Sequence, residues 1–195
     1  INTKTLIAET ENRWRVNSWS LLNIGLNNTY NKAYADALLF NPMQNRFSVF
    51  ANYKVYSSNN KWSGVISGRK EFIENRKLPF TFSAGGTGIF LKWFAVGATI
   101  ARHYRIPTFN DLYWARGGNP ALKPESGWNE ELGLTYKQQH KVLSWQGEAT
   151  VFNRNVNNWI LWLPDQYGTW SPGNVLKVWS RGVEYKVKLG LEKKK

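Results

Sequence analysis

Apolar and polar residues alternate over most of this chain, with a period of two. From Phe94 to Tyr104, for example, the even positions are mainly apolar and the odd positions are small or polar. Successive side chains of a β-strand point to opposite faces of a sheet, so this period predicts strands with one apolar and one polar face. It predicts about nine strands, near residues 4–16, 19–32, 46–57, 61–74, 80–90, 93–105, 126–138, 142–162 and 174–191.

The predicted connections alternate between short and long. Short turns are expected near residues 17–18, 57–60, 91–92 and 137–141, and longer links at 33–45, 75–79, 106–125 and 163–173. Short turns on one side and long loops on the other are typical of a transmembrane β-barrel. We therefore predict an all-β protein with antiparallel up-and-down transmembrane strands, most of them longer than the ~9–11 residues that cross a bilayer.

Aromatic residues collect at the predicted strand ends. Near the short turns they are Trp14, Trp19, Trp62, Trp93 and Trp145, and near the long loops Tyr30, Phe72, Tyr104 and Trp128. Two such rows would form the interfacial girdles of a membrane barrel. The alternative is a soluble β-sandwich that binds a ligand or a carbohydrate, with exposed sugar-binding rings at Trp159, Trp162, Tyr167 and Trp170. The polar face is crowded with Gly, Ser, Thr, Asn and charged residues, which favours the barrel.

Nine strands do not make a closed membrane barrel of the bacterial kind, which has an even strand number. An open edge in hydrocarbon leaves backbone groups unsatisfied, so a membrane sheet has to close. We therefore expect these strands to be an arc of a larger barrel. The chain begins with Ile1 and has no signal-peptide pattern, so we also expect a processed or truncated chain.

Composition argues against catalysis. The 195 residues include no cysteine, which excludes disulfides, thiolate metal sites and cysteine nucleophiles. The two histidines, His103 and His140, lack metal-ligand spacing. Carboxylates such as Glu71 are expected on the polar face, paired with Arg13, Arg69 or Arg154. We therefore expect no catalytic residue, no metal, no cofactor and no enzymatic activity.

The formal net charge of +13 predicts an anionic partner. A basic β protein rich in aromatic residues can bind single-stranded nucleic acid when its rings and cations share one groove. Here the Lys and Arg residues are dispersed, and the aromatic residues mostly share the apolar face, so nucleic acid is not expected. Outer-membrane lipid and the phosphates of lipopolysaccharide are the expected anionic partners.

Two motifs resemble a known family. The first runs from Pro107 to Tyr113 as Pro-Thr-Phe-Asn-Asp-Leu-Tyr and continues through the residues Gly118, Asn119, Pro120, Leu122, Lys123, Pro124 and Glu125. The second is Arg-Gly-Val-Glu, from Arg181 to Glu184, inside a predicted strand. A strand that carries Trp14, a short turn and a second strand complete the pattern. The chain resembles the late barrel strands of TonB-dependent outer-membrane receptors.

This resemblance implies a bacterial outer-membrane location and a barrel of about 22 strands with a plugged lumen. The whole chain, 1–195, would be a partial barrel domain, because nothing in it resembles the plug. The parent receptor would bind a scarce small-molecule ligand, cobalamin or a ferric siderophore. It would import that ligand through a TonB-type energy-coupling protein that acts on the missing plug.

The long loop supplies the candidate ligand residues. Its stacking rings and hydrogen-bonding groups are Arg105, Asn110, Asp111, Tyr113, Trp114 and Arg116. The alternative is that Thr108, Asn110 and Asp111 only hold the loop together through bonds from side chain to backbone.

Overall fold

The computed structural model describes residues 2–74, 76–140 and 142–191. In this part of the chain, nine strands form one antiparallel sheet in chain order. The strands are β1 (Asn2–Asn17), β2 (Ser20–Tyr34), β3 (Met43–Tyr56), β4 (Trp62–Ile73), β5 (Thr81–Leu91), β6 (Phe94–Arg105), β7 (Glu125–His140), β8 (Leu143–Pro164) and β9 (Trp170–Leu191). The predicted all-β, up-and-down fold is confirmed.

Cross-strand register gives the sheet two distinct faces. Ile66, Ala84 and Ile100 lie side by side on β4, β5 and β6, and they belong to the apolar face. Large side chains on that face remain exposed, with 63% of Ile66 and 66% of Val183 accessible. The other face, here called the polar face, carries residues such as Ser67, Ser83 and Ala101. No second sheet covers either face within the described residues, which does not favour the soluble sandwich.

Ion pairs lie on the polar face, as expected. Glu71 is buried and contacts the guanidinium groups of Arg69 at 3.3 Å and Arg46 at 3.9 Å. Arg13 contacts Glu11 at 3.3 Å. The expected pairs of Arg13 and Arg69 are thus present, whereas Arg154 forms no ion pair with the described carboxylates.

The sheet does not close on itself. Over the described residues, β1 pairs only with β2 and β9 pairs only with β8. Each outer strand keeps a row of backbone groups available for a further strand, which is the situation of an arc within a larger sheet. A membrane-spanning helix is absent from residues 2–74, 76–140 and 142–191.

One local prediction was wrong, and one short helix was not predicted. The link expected at 163–173 is much shorter, because β8 continues to Pro164 and β9 begins at Trp170. The Asp165 side chain accepts hydrogen bonds from the backbone N–H groups of Tyr167 and Thr169, and Gly168 has a φ of 80°, so a tight turn replaces the loop. The long loop contains a short helix, α1 (Phe109–Tyr113), that period-two reasoning did not predict.

The two ends of the sheet carry different connections. The short connections after β1, β3, β5 and β7 lie at one end, here called the turn end. The connections after β2, β4, β6 and β8 lie at the other, the loop end. Asn75 of the predicted link 75–79, Lys141 of the predicted turn 137–141, and Ile1 lie outside the described residues.

Candidate functional site

An ion pair closes the base of the long loop. Arg105 ends β6, Glu125 begins β7, and the two residues face each other in the register of the sheet. The Arg105 guanidinium donates to both oxygens of Glu125, at 2.9 and 2.6 Å. Glu125 is buried and also accepts from the backbone N–H of Ile160 at 2.7 Å. One carboxylate therefore ties β6, β7 and β8 together where the loop leaves the sheet.

Asp111 organises the interior of the loop. Its carboxylate accepts from the Thr108 backbone N–H at 2.8 Å, while the Thr108 hydroxyl accepts from the Asp111 N–H at 3.1 Å. This reciprocal pair is a capping box that starts α1. Asp111 also accepts from the Trp162 indole N–H at 3.0 Å and lies 3.6 Å from the Arg105 guanidinium. The same carboxylate thus caps the helix and connects it to β8.

The surroundings of Asp111 favour its charged form. Burial alone would raise its pKa, but the Thr108 backbone N–H, the Trp162 indole, the Thr108 hydroxyl and the Arg105 charge together lower the pKa of Asp111 below its usual range. Asp111 is therefore ionised at neutral pH, and it accepts these hydrogen bonds as a carboxylate.

Three buried side chains form a small apolar centre under the loop. They are Leu112 of α1, Leu122 of the loop and Ile160 of β8, with Tyr113 packed against them. The Tyr113 ring also lies 4.7 Å from the Phe40 ring, measured between centroids. The apolar centre therefore packs the long loop against β8, and Tyr113 also contacts the connection after β2.

Backbone bonds fix the long loop to the connection after β2. Leu38 and Trp114 form an isolated antiparallel bridge. On either side of it, the Leu39 N–H donates to the Tyr113 carbonyl and the Ala115 N–H donates to the Ala37 carbonyl, both at 2.9 Å.

Side-chain amides fix the long loop to the hairpin of β8 and β9. Asn119 donates to the Pro172 carbonyl at 3.1 Å. Asn174 accepts from the Lys123 N–H at 2.8 Å and donates to the carbonyls of Lys123 and Asn158. Gly117, at a φ of 152°, lies so close to the Trp170 carbonyl that a Cβ would approach it to 2.1 Å. We call the connected segments 35–42, 106–124 and 158–174 the loop body.

The six candidate ligand residues occupy two kinds of position. Arg105, exposed at the end of β6, contacts the buried carboxylate of Asp111, and Tyr113 and Trp114 are half-buried against the segment 35–42. Asn110 and Arg116 are exposed on its surface. Of the three residues in the alternative interpretation, Asp111 and Thr108 each accept one hydrogen bond from the backbone, and Asn110 forms no side-chain hydrogen bond with a described residue.

A cleft opens on the polar face next to the loop body. It has a volume of about 680 Å³ and is lined by Arg46, Arg69, Glu71, His103, Tyr104 and Arg105 among others. Two buried nitrogen atoms there, Arg46 Nε and His103 Nε2, have no hydrogen-bond partner among the described residues. Among the lining residues, the guanidinium groups of Arg46, Arg69 and Arg105 outnumber the carboxylate of Glu71.

Sequence reasoning missed three residues that hold the loop body. Glu125 was read only as part of a motif, Asn174 was not singled out, and Trp162 was considered as a sugar-binding ring. The signal for α1 was available, because Thr108 precedes Asp111 by the three residues of a capping box. Nothing local in the sequence shows that Asn174 bonds to Lys123, since 51 residues separate them.

No group of three or more metal-ligating side chains occurs among residues 2–74, 76–140 and 142–191.

A single open sheet with an exposed apolar face, a polar face and connected loops at one end defines a section of a transmembrane up-and-down barrel. The sequence matches the family "TonB dependent receptor-like, beta-barrel" over residues 3–191. The chain belongs to this family of receptors and transporters, whose members are outer-membrane β-barrel proteins.

Curated relatives share part of the sequence. The chain is 37% identical over 93 residues to the vitamin B12 transporter BtuB of Photobacterium profundum, covering 46% of this chain and 15% of the transporter. It is 32% identical over 88 residues to the vitamin B12 transporter BtuB of Vibrio vulnificus, covering 45% of this chain and 14% of that protein.

Solved structures share the fold over nearly the whole chain. The siderophore receptor PirA of Pseudomonas aeruginosa superposes with a TM-score of 0.76 at 17% identity, covering 94% of this chain and 38% of the receptor. The ferric enterobactin receptor PfeA of the same organism, as a Q482A mutant with enterobactin, gives 0.73 at 19% identity, covering 94% and 33%. The chain therefore spans well under half the length of these relatives.

Proposed function

We propose that this chain is a section of the barrel of a bacterial outer-membrane receptor that binds and imports a scarce ligand. The family match supports this proposal, and the loop body is the observation that carries it. The connections at the loop end of the sheet are fixed to one another by hydrogen bonds instead of remaining separate. A fixed set of loops above a polar face can present a preorganised surface to a ligand arriving from outside the cell.

Cobalamin is the first candidate ligand, and a ferric siderophore is the second. Both curated relatives above 30% identity are named as vitamin B12 transporters, which supports cobalamin. The siderophore receptors resemble this chain in fold at identities below 20%, which supports the barrel without choosing the ligand.

Within this proposal, Asn110 and Arg116 are the residues of the loop that contact the ligand, because both side chains are exposed and neither is bonded to another described side chain. Arg105, Asp111, Tyr113 and Trp114 position them from inside or beneath the loop body. In the remainder of a longer receptor, a plug domain would fill the lumen and engage a TonB-type energy-coupling protein. The apolar face would contact outer-membrane lipid, with lipopolysaccharide phosphates near the loop end.

The test is ligand binding and uptake by cells that express the complete receptor containing this segment. Radiolabelled cyanocobalamin and ferric enterobactin are supplied separately to a strain that lacks its own receptors for both. We expect saturable binding of cyanocobalamin, and uptake that stops when the proton gradient is collapsed. The double variant Asn110→Ala, Arg116→Ala should weaken binding about tenfold, because two hydrogen-bonding groups are lost.

The matched control is Asn59→Ala, Lys61→Ala, which changes the same kinds of side chain at the turn end and should bind normally. Binding of enterobactin instead of cobalamin would move the assignment to the second candidate. Binding of neither, by a receptor that is correctly folded in the outer membrane, would overturn the proposed function.

A further inference from the structure

We propose that the apolar face carries a binding site for a phosphorylated glycolipid of the outer leaflet, with its phosphate on Arg102 and one acyl chain in the groove below. This inference rests on the proposed outer-membrane location.

Arg102 is a cation among apolar side chains. In the register of the sheet it lies between Phe82 on β5 and Trp128 on β7, and the rings of these two residues are 5.2 Å apart in an edge-to-face contact. Residues of both faces of β6, including Arg102, border the cleft of the polar face. Arg102 is paired with Phe82 and Trp128, and the rings of these two residues contact each other on the apolar face. The register therefore places Arg102 on the apolar face, in the same row as these rings.

No described carboxylate lies within ion-pair distance of Arg102. Arg102 forms no ion pair and no side-chain hydrogen bond within residues 2–74, 76–140 and 142–191. The carboxylate on the neighbouring row, Glu130, instead accepts from the Asn153 amide at 3.1 Å. A charged side chain facing lipid is costly unless it pairs with an opposite charge or reaches the headgroup layer.

The row of Arg102 lies at headgroup depth in the proposed orientation. It continues across β8 to Trp179 on β9, so Phe82, Trp128 and Trp179 form an aromatic row near the loop end. Such rows mark the boundary between hydrocarbon and headgroups. A guanidinium at this depth matches phosphate in charge and in the geometry of its donors.

An apolar groove lies directly toward the middle of the sheet. It has a volume of about 520 Å³ and crosses β3 to β6, with Tyr53, Ile66 and Ile100 as walls and Gly64, Ala84 and Ala98 as floor. Ile100 is two residues before Arg102 on the same strand. A lipid whose phosphate contacts Arg102 can therefore extend an acyl chain into the groove. Charge at one end and an apolar channel at the other fit one amphiphile.

The test uses the complete receptor that contains this segment, purified in a nonionic detergent and stripped of lipid. Diphosphoryl lipid A is titrated in, and bound lipid is counted from adduct masses by native mass spectrometry. Arg102→Gln should weaken binding about fivefold, the loss expected for one basic residue near an anionic headgroup. Ala84→Leu, which fills the groove floor, should also weaken it. Lys92→Gln removes the same charge at the turn end and should bind like the parent.

Equal affinity of parent and Arg102→Gln, with both folded by heat-modifiable gel migration, would overturn the site. Equal binding of phosphatidylglycerol and lipid A would overturn the assignment to the glycolipid. A change of oligomeric state in Ala84→Leu without a change in lipid binding would instead make the groove a contact between copies. The ligand-uptake assay is independent: a receptor that binds lipid A through Arg102 and imports neither ligand would contradict the proposed function alone.

Discussion

At the turn end of the sheet, the side chains of the connections after β1 and β3 form hydrogen bonds within their own connection, whereas at the loop end side-chain hydrogen bonds join different connections. The Asn17 side chain accepts from the Trp19 N–H and the Ser20 hydroxyl, and Asn59 accepts from the Ser57 hydroxyl and the Lys61 N–H. All these partners lie within three residues. At the loop end, bonds such as those from Asn174 to Lys123 and from Trp162 to Asp111 span 51 residues.

This difference indicates that the loop end, and not the turn end, presents a surface whose parts are held in fixed relative positions. A local turn needs only to reverse the chain, and its own side chains can satisfy it. Hydrogen bonds between distant loops cost more conformational entropy to form than hydrogen bonds within one turn. We therefore expect them where the relative positions of the loops matter. We therefore predict that, in the proposed receptor, the loop end is the end that meets the ligand.

The largest expected effect comes from Glu125→Ala. This change leaves the Arg105 guanidinium and the Ile160 N–H without their buried acceptor, which should lower the free energy of local opening of the loop body by about 3 kcal/mol. Hydrogen exchange of the amides in 106–124, measured on the complete receptor, reports that free energy. Glu74→Ala removes an exposed carboxylate at the same end and serves as the control. Equal protection in both variants would contradict the role of Glu125.

A smaller effect is expected from Asn174→Ala, which removes two hydrogen bonds to Lys123 of the long loop and one to Asn158 within the β8–β9 hairpin. The free energy of opening should fall by about 2 kcal/mol, with faster exchange in 119–124 and 158–174. Asn59→Ala removes two bonds at the turn end, and its effect should remain within residues 57–61. If Asn59→Ala also loosened distant loops, the contrast between the two ends would be wrong.

The smallest effect is a dependence on acid. Because the folded protein lowers the pKa of Asp111, its carboxylate stabilises the loop body above the ordinary Asp pKa of about 4, and this contribution is lost as the pH falls through the lowered value. Protection of 106–124 should be equal at pH 7 and pH 5. It should drop only below about pH 4.

Comparison with Asp111→Asn isolates this carboxylate from other acids. The variant should be less protected at neutral pH, and the difference from the parent should shrink in acid. A difference that stays constant with pH would show that the charge of Asp111 does not stabilise the loop body.

Much of the fold was predictable from alternation alone. The period of two placed all nine strands and their two faces, because the side-chain period of a strand depends only on local geometry. The predictions failed where contacts across the sequence decide the structure. Strands β8 and β9 extend beyond the predicted ends because Asp165 and Gly168 close a tight turn between them, and α1 depends on a capping pair inside a loop.

The candidate site was predictable only in part. The stretch 105–116 was singled out for its aromatic and polar residues, and the structure brings Arg105 and Asp111 together within it. The partners that fix them, Trp162 and Glu125, come from other strands. Their pairing follows from strand order and register, which no local pattern of residues specifies. Ligand contact by the six candidates stays a prediction.

The most direct test of a membrane-spanning sheet is to measure on which side of the membrane each end of the sheet lies. This chain contains no cysteine, so single cysteines can be introduced at exposed positions of the two ends, as Gln166→Cys in the β8–β9 turn and Ser58→Cys in the β3–β4 turn. Intact cells expressing the complete receptor are treated with a membrane-impermeant maleimide, using the parent without these cysteines as background. We predict labelling of Gln166→Cys on intact cells, and of Ser58→Cys only after the outer membrane is opened. Equal labelling of both positions on intact cells would contradict a membrane-spanning sheet with its loop body outside.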